Sequence, residues 1–314
     1  MTIKCSRCGY PASVEQKYSG LDLCLQCFEK QVERRFSRAV REYELIKPRE
    51  RIGVAISGGK DSAALLYLIH DLSKKMPFTI LPIIVDEGIE TYRAKGIEKS
   101  RELCEMLGLE LNVYSYKDNY GLSMDEIVAR KQELKNELRV SGNCSYCGVF
   151  RKQLLNKAAR ELNCDKLALG HNLDDMAQTY LMNIMRNEPQ RLNKFGLIIE
   201  SSLEEFVPRI KPLAYIPEKE TTLYCHAKKL PFYLGECPHS SEAFRGEIKD
   251  FLNALAEKHP GVKFSIVKSF SNLRTVDDKV YENKKCFECG EITSQLICKA
   301  CLYKKEIIEG LSAN

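Results

Sequence analysis

Cysteines arranged in short pairs constrain the fold of this chain more than any other feature of its sequence. Ten of the 14 cysteines form five Cys-x-x-Cys pairs, a spacing typical of metal sites. Because the sequence shows no export signal, we expect reduced thiols rather than disulfides. The pattern therefore predicts small metal-binding modules attached to a larger core.

The first two and the last two pairs each provide four thiolates, the number that a tetrahedral structural zinc requires. Glycine follows Cys8 and Cys289, where a tight turn around a metal often needs a positive φ. We predict one zinc ion at each end of the chain, with iron in a rubredoxin-like site as the alternative. The predicted ligands are Cys5, Cys8, Cys24 and Cys27 at the start, and Cys286, Cys289, Cys298 and Cys301 at the end.

The composition is that of a globular protein. Apolar residues make up 44% of the 314 residues and charged residues 29%. No apolar run approaches the roughly 18 residues that a membrane span needs. We therefore expect a cytoplasmic protein without a membrane partner. The net charge of +5 permits an RNA partner without requiring one.

Between the cysteine modules, predicted strands alternate with predicted helices. Repeated βα units predict an α/β fold, with a Rossmann-like parallel sheet and helices on both faces. The hydrophobic pattern predicts strands at 51–56, 79–85, 109–116 and 166–169, helices at 28–47, 61–72, 92–107, 123–138, 149–162, 174–186 and 242–258, and a linker at 264–284.

A glycine-rich turn joins the first predicted strand to a helix. Glycines let a backbone approach a ligand closely, and N–H groups at a helix N-terminus bind anions, so the turn predicts a phosphate site. It is not a Walker A loop, because Gly59 stands where lysine should follow Gly58. The turn reads Ser57-Gly58-Gly59-Lys60-Asp61-Ser62.

A second polar segment follows the predicted strand at 166–169. It begins at Gly170 and His171 and ends in two adjacent carboxylates, Asp174 and Asp175. Open α/β sheets bind ligands at the carboxyl ends of their strands, so either carboxylate could hold Mg²⁺ on phosphates. Alternatively, Asp174 could simply cap the following helix.

A third set of cysteines lies in the middle of the chain. Cys144 and Cys147 form a pair just before a predicted helix, and Cys237 follows about 90 residues later. Three interpretations are open: a zinc site completed by His239, a redox pair carrying a persulfide, or an iron–sulfur cluster. The remaining cysteines are predicted to be buried as small apolar residues; they are Cys104, Cys164 and Cys225.

The Ser-Gly-Gly-Lys-Asp-Ser turn after a first strand resembles the pyrophosphate loop of the N-type ATP pyrophosphatases. These enzymes split ATP between the α- and β-phosphates and adenylate a carbonyl oxygen. With the central cysteine pair, the later Cys237-Pro238 and the terminal pairs, nearly the whole chain resembles tRNA 2-thiouridine synthetases. The most similar group comprises the archaeal and eukaryotic wobble-uridine thiolases and their thermophilic T-loop relatives.

This resemblance implies a fold like that of the adenine nucleotide alpha hydrolases and a [4Fe-4S] cluster held by Cys144, Cys147 and Cys237. Three protein ligands leave one iron open. The implied cofactors are ATP, Mg²⁺, the cluster and two structural Zn²⁺ ions, and the implied assembly is a homodimer. The implied catalytic residues are Lys60, Asp61, Arg151, Asp174 and Asp175, and the implied ATP contacts are Ala55, Ser57, Gly58, Gly59, Lys60, Asp61, Ser62, Ile84 and Gly170.

The resemblance also implies a domain plan and a reaction. Residues 1–48 would form a zinc finger and a basic helix, 49–270 the ATP-binding catalytic domain with the iron–sulfur site, and 271–314 a second zinc finger. The enzyme would convert a tRNA uridine to 2-thiouridine. Because thermophiles use few cysteines, the 14 cysteines favour the wobble position over the T-loop.

Several alternatives stay open at this stage. The sulfur donor could be sulfide, a ubiquitin-like thiocarboxylate protein or a persulfide carrier. The chain could also thiolate the T-loop uridine, work through a persulfide without a cluster, or be an ATP pyrophosphatase with a small-molecule substrate. A non-enzymatic alternative is a zinc-rich RNA-binding protein, although the intact Lys60, Asp61 and Ser62 argue against a degenerate loop.

Overall fold

The computed structural model describes residues 3–134, 142–193, 195–201, 203, 205–240, 243–272 and 284–309. The strands within these ranges are β1 (Val14–Gln16), β2 (Leu21–Leu23), β3 (Arg51–Ile56), β4 (Thr79–Asp86), β5 (Asn112–Ser115), β6 (Lys166–Ala168), β7 (Ile198–Ile199), β8 (Arg209–Ile210), β9 (Lys284–Lys285) and β10 (Ile292–Thr293). The helices are α1 (Leu25–Glu42), α2 (Lys60–Ser73), α3 (Glu90–Leu107), α4 (Tyr116–Tyr120), α5 (Met124–Leu134), α6 (Asn143–Glu161), α7 (Leu173–Met185), α8 (Pro189–Asn193), α9 (Glu218–Ala227), α10 (Ala243–Lys258), α11 (Val262–Asn272) and α12 (Lys299–Glu309).

A six-stranded sheet with the order β5-β4-β3-β6-β8-β7 forms the centre of the molecule. Its first five strands are parallel, and β7 pairs antiparallel with β8 at one edge. This confirms the predicted α/β fold. Because parallel strands share one carboxyl edge, the segments that follow β3, β4, β6 and β8 meet there.

Helices cover both faces of this sheet, as predicted. Successive residues of a strand point to opposite faces, and Ile83 and Ile84 illustrate the result. Ile84 joins the core that contains Leu65 of α2, whereas Ile83 packs with Ala158 and Ala159 of α6. The two faces therefore bury separate apolar clusters, which explains why β4 is apolar along most of its length.

The terminal cysteine modules pack onto the main domain. The N-terminal hairpin of β1 and β2 places Leu23 in the same core as Ile52 of β3. At the other end, Tyr303 of α12 stacks on Tyr146 of α6, with ring centroids 4.0 Å apart. The C-terminal module thus rests on the helix that carries the central cysteine pair.

Most predicted elements are confirmed, but a strand and a helix differ from their predicted bounds. The third strand is shorter than predicted at both ends, since β5 begins at Asn112 and α4 begins at Tyr116. Helix α6 begins at Asn143 rather than 149, so Cys144 and Cys147 lie on the helix and not before it. Cysteine and Gly148 are weak helix formers, which hid this first turn in the sequence.

The predicted linker at 264–284 was wrong in its first part, since α11 extends to Asn272. Residues 273–283 of that linker and residues 135–138 of the helix predicted at 123–138 lie outside the described residues. The basic helix predicted at 28–47 is α1, which ends at Glu42. Within the described ranges, no helix combines the length and apolar character needed to cross a membrane.

Candidate active site

The glycine-rich turn forms a closed loop between β3 and α2. The Ser57 N–H donates to Ser62 Oγ at 3.1 Å, and Ser62 Oγ donates to the Gly59 carbonyl at 2.9 Å. Gly58 has φ +81°, and a Cβ there would lie 2.3 Å from the Gly96 carbonyl oxygen. Only glycine fits this position, so the loop shape depends on it.

Charged side chains converge on the start of α2. Lys60 Nζ lies 2.7 Å from Asp61 Oδ2 and 3.1 Å from Glu218 Oε1. Although burial lowers the pKa of Lys60, these two carboxylates raise it above its usual range, so the side chain stays cationic. Asp61 Oδ1 in turn accepts hydrogen bonds from Asn172 and Thr221. A fixed cation beside helical N–H groups suits a phosphate ligand.

The segment after β6 packs directly against this loop. A Cβ at Gly170 would lie 3.3 Å from the Asp61 carbonyl carbon, so the two turns touch. The cap of α7 is Asn172, which exchanges hydrogen bonds with Asp175 in a capping box. Asp174 is therefore not the cap.

Two carboxylates in this segment differ in their partners. Asp174 pairs with Lys263 and accepts the Glu218 N–H at 2.8 Å. Burial together with the charge of Asp61 raises the pKa of Asp175 to about 6, although the Asn172 N–H and the charge of Arg245 lower it. Two facing carboxylates that repel each other suit a divalent cation with oxygen ligands. The other predicted ATP contacts, Ala55 and Ile84, lie on β3 and β4, and Ile84 is fully buried.

The central cysteines lie at the amino end of α6. Cys144 and Cys147 are on its first turns, and Cys237 packs against the same apolar cluster as Cys147. Burial raises the pKa of Cys147, Arg151 lowers it, and the charges of Glu87 and Cys237 raise it. The fold therefore brings together three cysteines that the sequence separates by about 90 residues.

His239 points away from these sulfurs. Its Nε2 lies 2.5 Å from Asp125 Oδ1, and only its carbonyl oxygen approaches Cys144 Sγ, at 4.0 Å. The geometry thus gives no support to a zinc site completed by this histidine.

Arg151 connects the cysteine site to a buried acid that the sequence did not reveal. Its Nη2 lies 3.0 Å from Cys147 Sγ, and its Nε lies 2.7 Å from Glu87 Oε1. Glu87 is only 1% exposed and also pairs with Arg93, which donates to the Ser57 carbonyl at 3.0 Å. A chain of contacts therefore runs from Cys147 to the glycine-rich loop. In the sequence, the one indication that Glu87 has a functional role was its position just after β4, at the carboxyl edge of the sheet.

The terminal cysteines form two compact groups. In each group, all four sulfurs lie within 4.8 Å of one another. Measured pairs include 3.6 Å for Cys8–Cys24 and 3.6 Å for Cys289–Cys298, near the roughly 3.8 Å expected for thiolates around one tetrahedral zinc. Although burial raises the pKa of Cys286, backbone N–H donors led by that of Cys298 lower it to about 6, whereas burial and neighbouring sulfurs raise the pKa values of Cys289 and Cys301. Thiols crowded in this way lose their remaining protons when a metal ion binds. Both groups could hold a metal ion.

The central cysteines are not grouped this tightly. Within the described residues, the terminal sets are the groups whose ligand atoms all lie so close together. In a cubane cluster each thiolate binds a different iron, so the ligand sulfurs lie farther apart than those around one ion. The wider spacing of Cys144, Cys147 and Cys237 therefore suits a cluster better than a single ion.

Comparisons with known proteins agree with this architecture. The family model described as the PP-loop domain matches residues 28–255. The tRNA 2-thiolation protein NcsA of Haloferax volcanii is 37% identical over 331 residues, which cover 99% of this chain and all of that protein. The cytoplasmic tRNA 2-thiolation protein 1 of Drosophila melanogaster is 36% identical, over 98% of this chain and 87% of that protein.

A solved structure shows the same fold over nearly the full length. It is the U34-tRNA thiolase NcsA from Methanococcus maripaludis with its [4Fe-4S] cluster. The TM-score is 0.85 at 36% identity, and the match covers 98% of this chain and 97% of that chain. Sequence, fold and loop agree: the chain belongs to the PP-loop family, within its group of tRNA 2-thiolation proteins.

Proposed function

We propose that this chain is an ATP-dependent tRNA sulfurtransferase that converts a uridine to 2-thiouridine. The observation that carries the proposal is the connection between two sites at one sheet edge. Arg151 contacts both Cys147 and Glu87, and Arg93 links Glu87 to the Ser57 carbonyl of the loop. A base activated at the loop would therefore lie within reach of the cysteine site.

The chain's own groups account for activation of the base. Residues 57–62 and the N-terminus of α2 hold the phosphates of ATP, and Lys60 stabilises charge on the leaving pyrophosphate. Asp61 and Asp175, with Asp174 beside Asp175 in the chain, would hold a Mg²⁺ ion, which would neutralise negative charge on the phosphates. The uridine O2 bonds to the α-phosphorus, the bond to pyrophosphate breaks, and the base releases its N3 proton.

Sulfur transfer follows at C2 of the adenylated base. Hydrosulfide bonds to C2, the C2–O2 bond breaks with AMP leaving, and the sulfur's proton returns to N3. Arg151, beside Cys147, stabilises the negative charge that develops during this exchange. The three thiolates of Cys144, Cys147 and Cys237 suit a [4Fe-4S] cluster, which would supply an open iron for the incoming sulfur.

The relatives support narrower assignments. Because the Methanococcus maripaludis relative is described as a U34-tRNA thiolase, we place the modification at uridine 34, the wobble position, rather than in the T-loop. The Drosophila relatives are described as cytoplasmic, and we assign the same compartment here. The sulfur donor is sulfide, a ubiquitin-like thiocarboxylate protein or a persulfide carrier, and the assembly is a homodimer.

The terminal groups have a separate role in this proposal. Each holds one zinc ion and stabilises its module, since structural zinc contributes folding free energy directly. The domain plan stays as the sequence predicts, with boundaries near residues 48 and 270. The basic face of α1 is a candidate contact for the tRNA backbone.

Mass spectrometry of tRNA nucleosides tests the function directly. A strain lacking the gene should lose 2-thiouridine, the wild-type chain should restore it, and Lys60→Ala should not. Digestion into anticodon and T-arm fragments then locates the modification. Restoration by Lys60→Ala would remove the loop from the mechanism, and thiouridine confined to the T-arm would overturn the wobble assignment.

A further inference from the structure

A cluster of basic side chains lies beside the active site without an assigned role. It consists of Lys152 on α6, His171 after β6, Arg209 on β8 and Lys211 just after β8. The charges of Lys152, Arg209 and Lys211 each lower the pKa of at least one other member of the set, and the pKa of His171 is lowered by all three. We call these four residues the basic cluster.

Among the described residues, two cations of the basic cluster have backbone carbonyls as their hydrogen-bond partners. Lys211 Nζ donates to the Gly196 carbonyl at 2.9 Å, and Arg209 Nη2 donates to the Lys152 carbonyl at 3.3 Å. In the part of the chain that the structure describes, no carboxylate forms an ion pair with Lys152, Arg209 or Lys211. Lys60 and Arg151 nearby both have such partners.

This arrangement is costly unless an anion neutralises it. Lys211 is only 7% exposed, and burial together with the charge of Arg209 lowers its pKa to about 8. His171 keeps a solvent-exposed surface, but desolvation by the surrounding protein and the charges of Lys211 and Lys152 lower its pKa to about 3. The positive charges of Lys152, Arg209 and Lys211 repel one another, most strongly at the buried Lys211, and a bound anion would relieve that repulsion.

The location of the basic cluster distinguishes it from the nucleotide loop. Strand β6 lies between β3 and β8, so β8 is two strand spacings, about 10 Å, from the strand that carries the loop. Lys152 directly follows Arg151, which contacts Cys147. The basic cluster therefore flanks the place where base and sulfur must meet, on the side away from β4.

We propose that Lys152, Arg209 and Lys211 bind phosphodiester groups of the tRNA strand next to the target uridine. The inference rests on the proposed function, because it assumes that a tRNA base reaches the loop. Phosphate contacts position a nucleic acid without reading its sequence. Here they would hold the strand so that the uridine O2 faces the α-phosphate of ATP. The phosphates of ATP itself are the competing source of the same ligand chemistry.

Binding of unmodified tRNA across a range of salt concentrations tests the proposal. The variants are Lys152→Gln, Arg209→Gln and Lys211→Gln, with Lys99→Gln as the matched control, since Lys99 pairs with Glu102 far along α3. Each cluster variant should raise the Kd for tRNA about tenfold and reduce the slope of log K against log salt by about 1. The Kd for ATP and the metal content should equal those of the control.

Thermal melting separates this role from a structural one. Because none of the three variants leaves a carboxylate without its partner, their Tm values should equal or exceed that of the wild type. Unchanged tRNA affinity and salt slope in all three variants would overturn the inference while leaving the function intact. Lost ATP affinity with normal tRNA affinity would assign the site to the nucleotide instead. Failure of the wild-type chain to bind tRNA would overturn both proposals.

Discussion

The terminal cysteines and the central cysteines belong to two different kinds of site. Each terminal group draws its four sulfurs from two neighbouring turns and holds them within 4.8 Å of one another. The central three come from α6 and a distant loop and are more widely spaced, and one of them, Cys147, contacts Arg151. Four ligands close a metal's coordination, whereas three leave a position open for chemistry. We therefore propose that the same residue type serves stability at the ends and reactivity in the middle.

The largest expected difference concerns Cys237. If it is the third ligand of the central site, Cys237→Ala should lose iron and all measurable thiolation but keep both zinc ions and ATP binding. His239→Ala is the matched control two residues away, because its ring faces Asp125. Iron and zinc analysis of anaerobically purified variants is the measurement. Iron retained in Cys237→Ala, or iron lost in His239→Ala, would rule out a site formed by these three cysteines.

At the C-terminal module, we expect a substitution to remove zinc rather than iron. Cys286→Ala should lose zinc and at least about 4 kcal/mol of unfolding free energy, because a structural metal stabilises its module directly. Phe287→Ala is the control, since that neighbouring ring is 91% exposed. Denaturant unfolding with zinc analysis measures both. Equal zinc content and equal stability in the two variants would show that the group is not a metal site.

A smaller effect on turnover is expected at Glu87, which lies between the central cysteines and the glycine-rich loop. Glu87→Gln removes the charge that holds Arg151 against Cys147 and Arg93 against the loop. Turnover should fall about 10- to 100-fold, which corresponds to roughly 1.4–2.7 kcal/mol of lost transition-state stabilisation. Glu90→Gln, at the exposed start of α3, should leave turnover unchanged. Steady-state thiolation assays at saturating ATP compare the two, and equal rates would mean that Glu87 has no positioning role.

Local sequence signals predicted much of this molecule. The strand at 51–56, the glycine-rich loop and the terminal cysteine pairs are short motifs whose residues are neighbours in the chain, so the spacing alone carries the information. The α/β fold followed from repeated βα units. Strands β7 and β8 were missed because two residues are too short to show an alternating pattern.

Long-range features were harder to predict for a physical reason. Glu87 gains its role only because α6 crosses the sheet and brings Arg151 to the end of β4. Likewise, Lys152 and Lys211 belong to different elements and become neighbours only in the fold. A lone charged residue in a sequence usually indicates a solvated surface, so neither site had a local signature.

Metal analysis of the wild-type chain purified without oxygen tests the central claim most directly. The account predicts about two zinc atoms and about four iron atoms per chain, the iron held by the central cysteines and the zinc by the terminal groups. A colourless protein that contains zinc alone, under strictly anaerobic conditions, would contradict the division of the cysteines into structural and reactive sites.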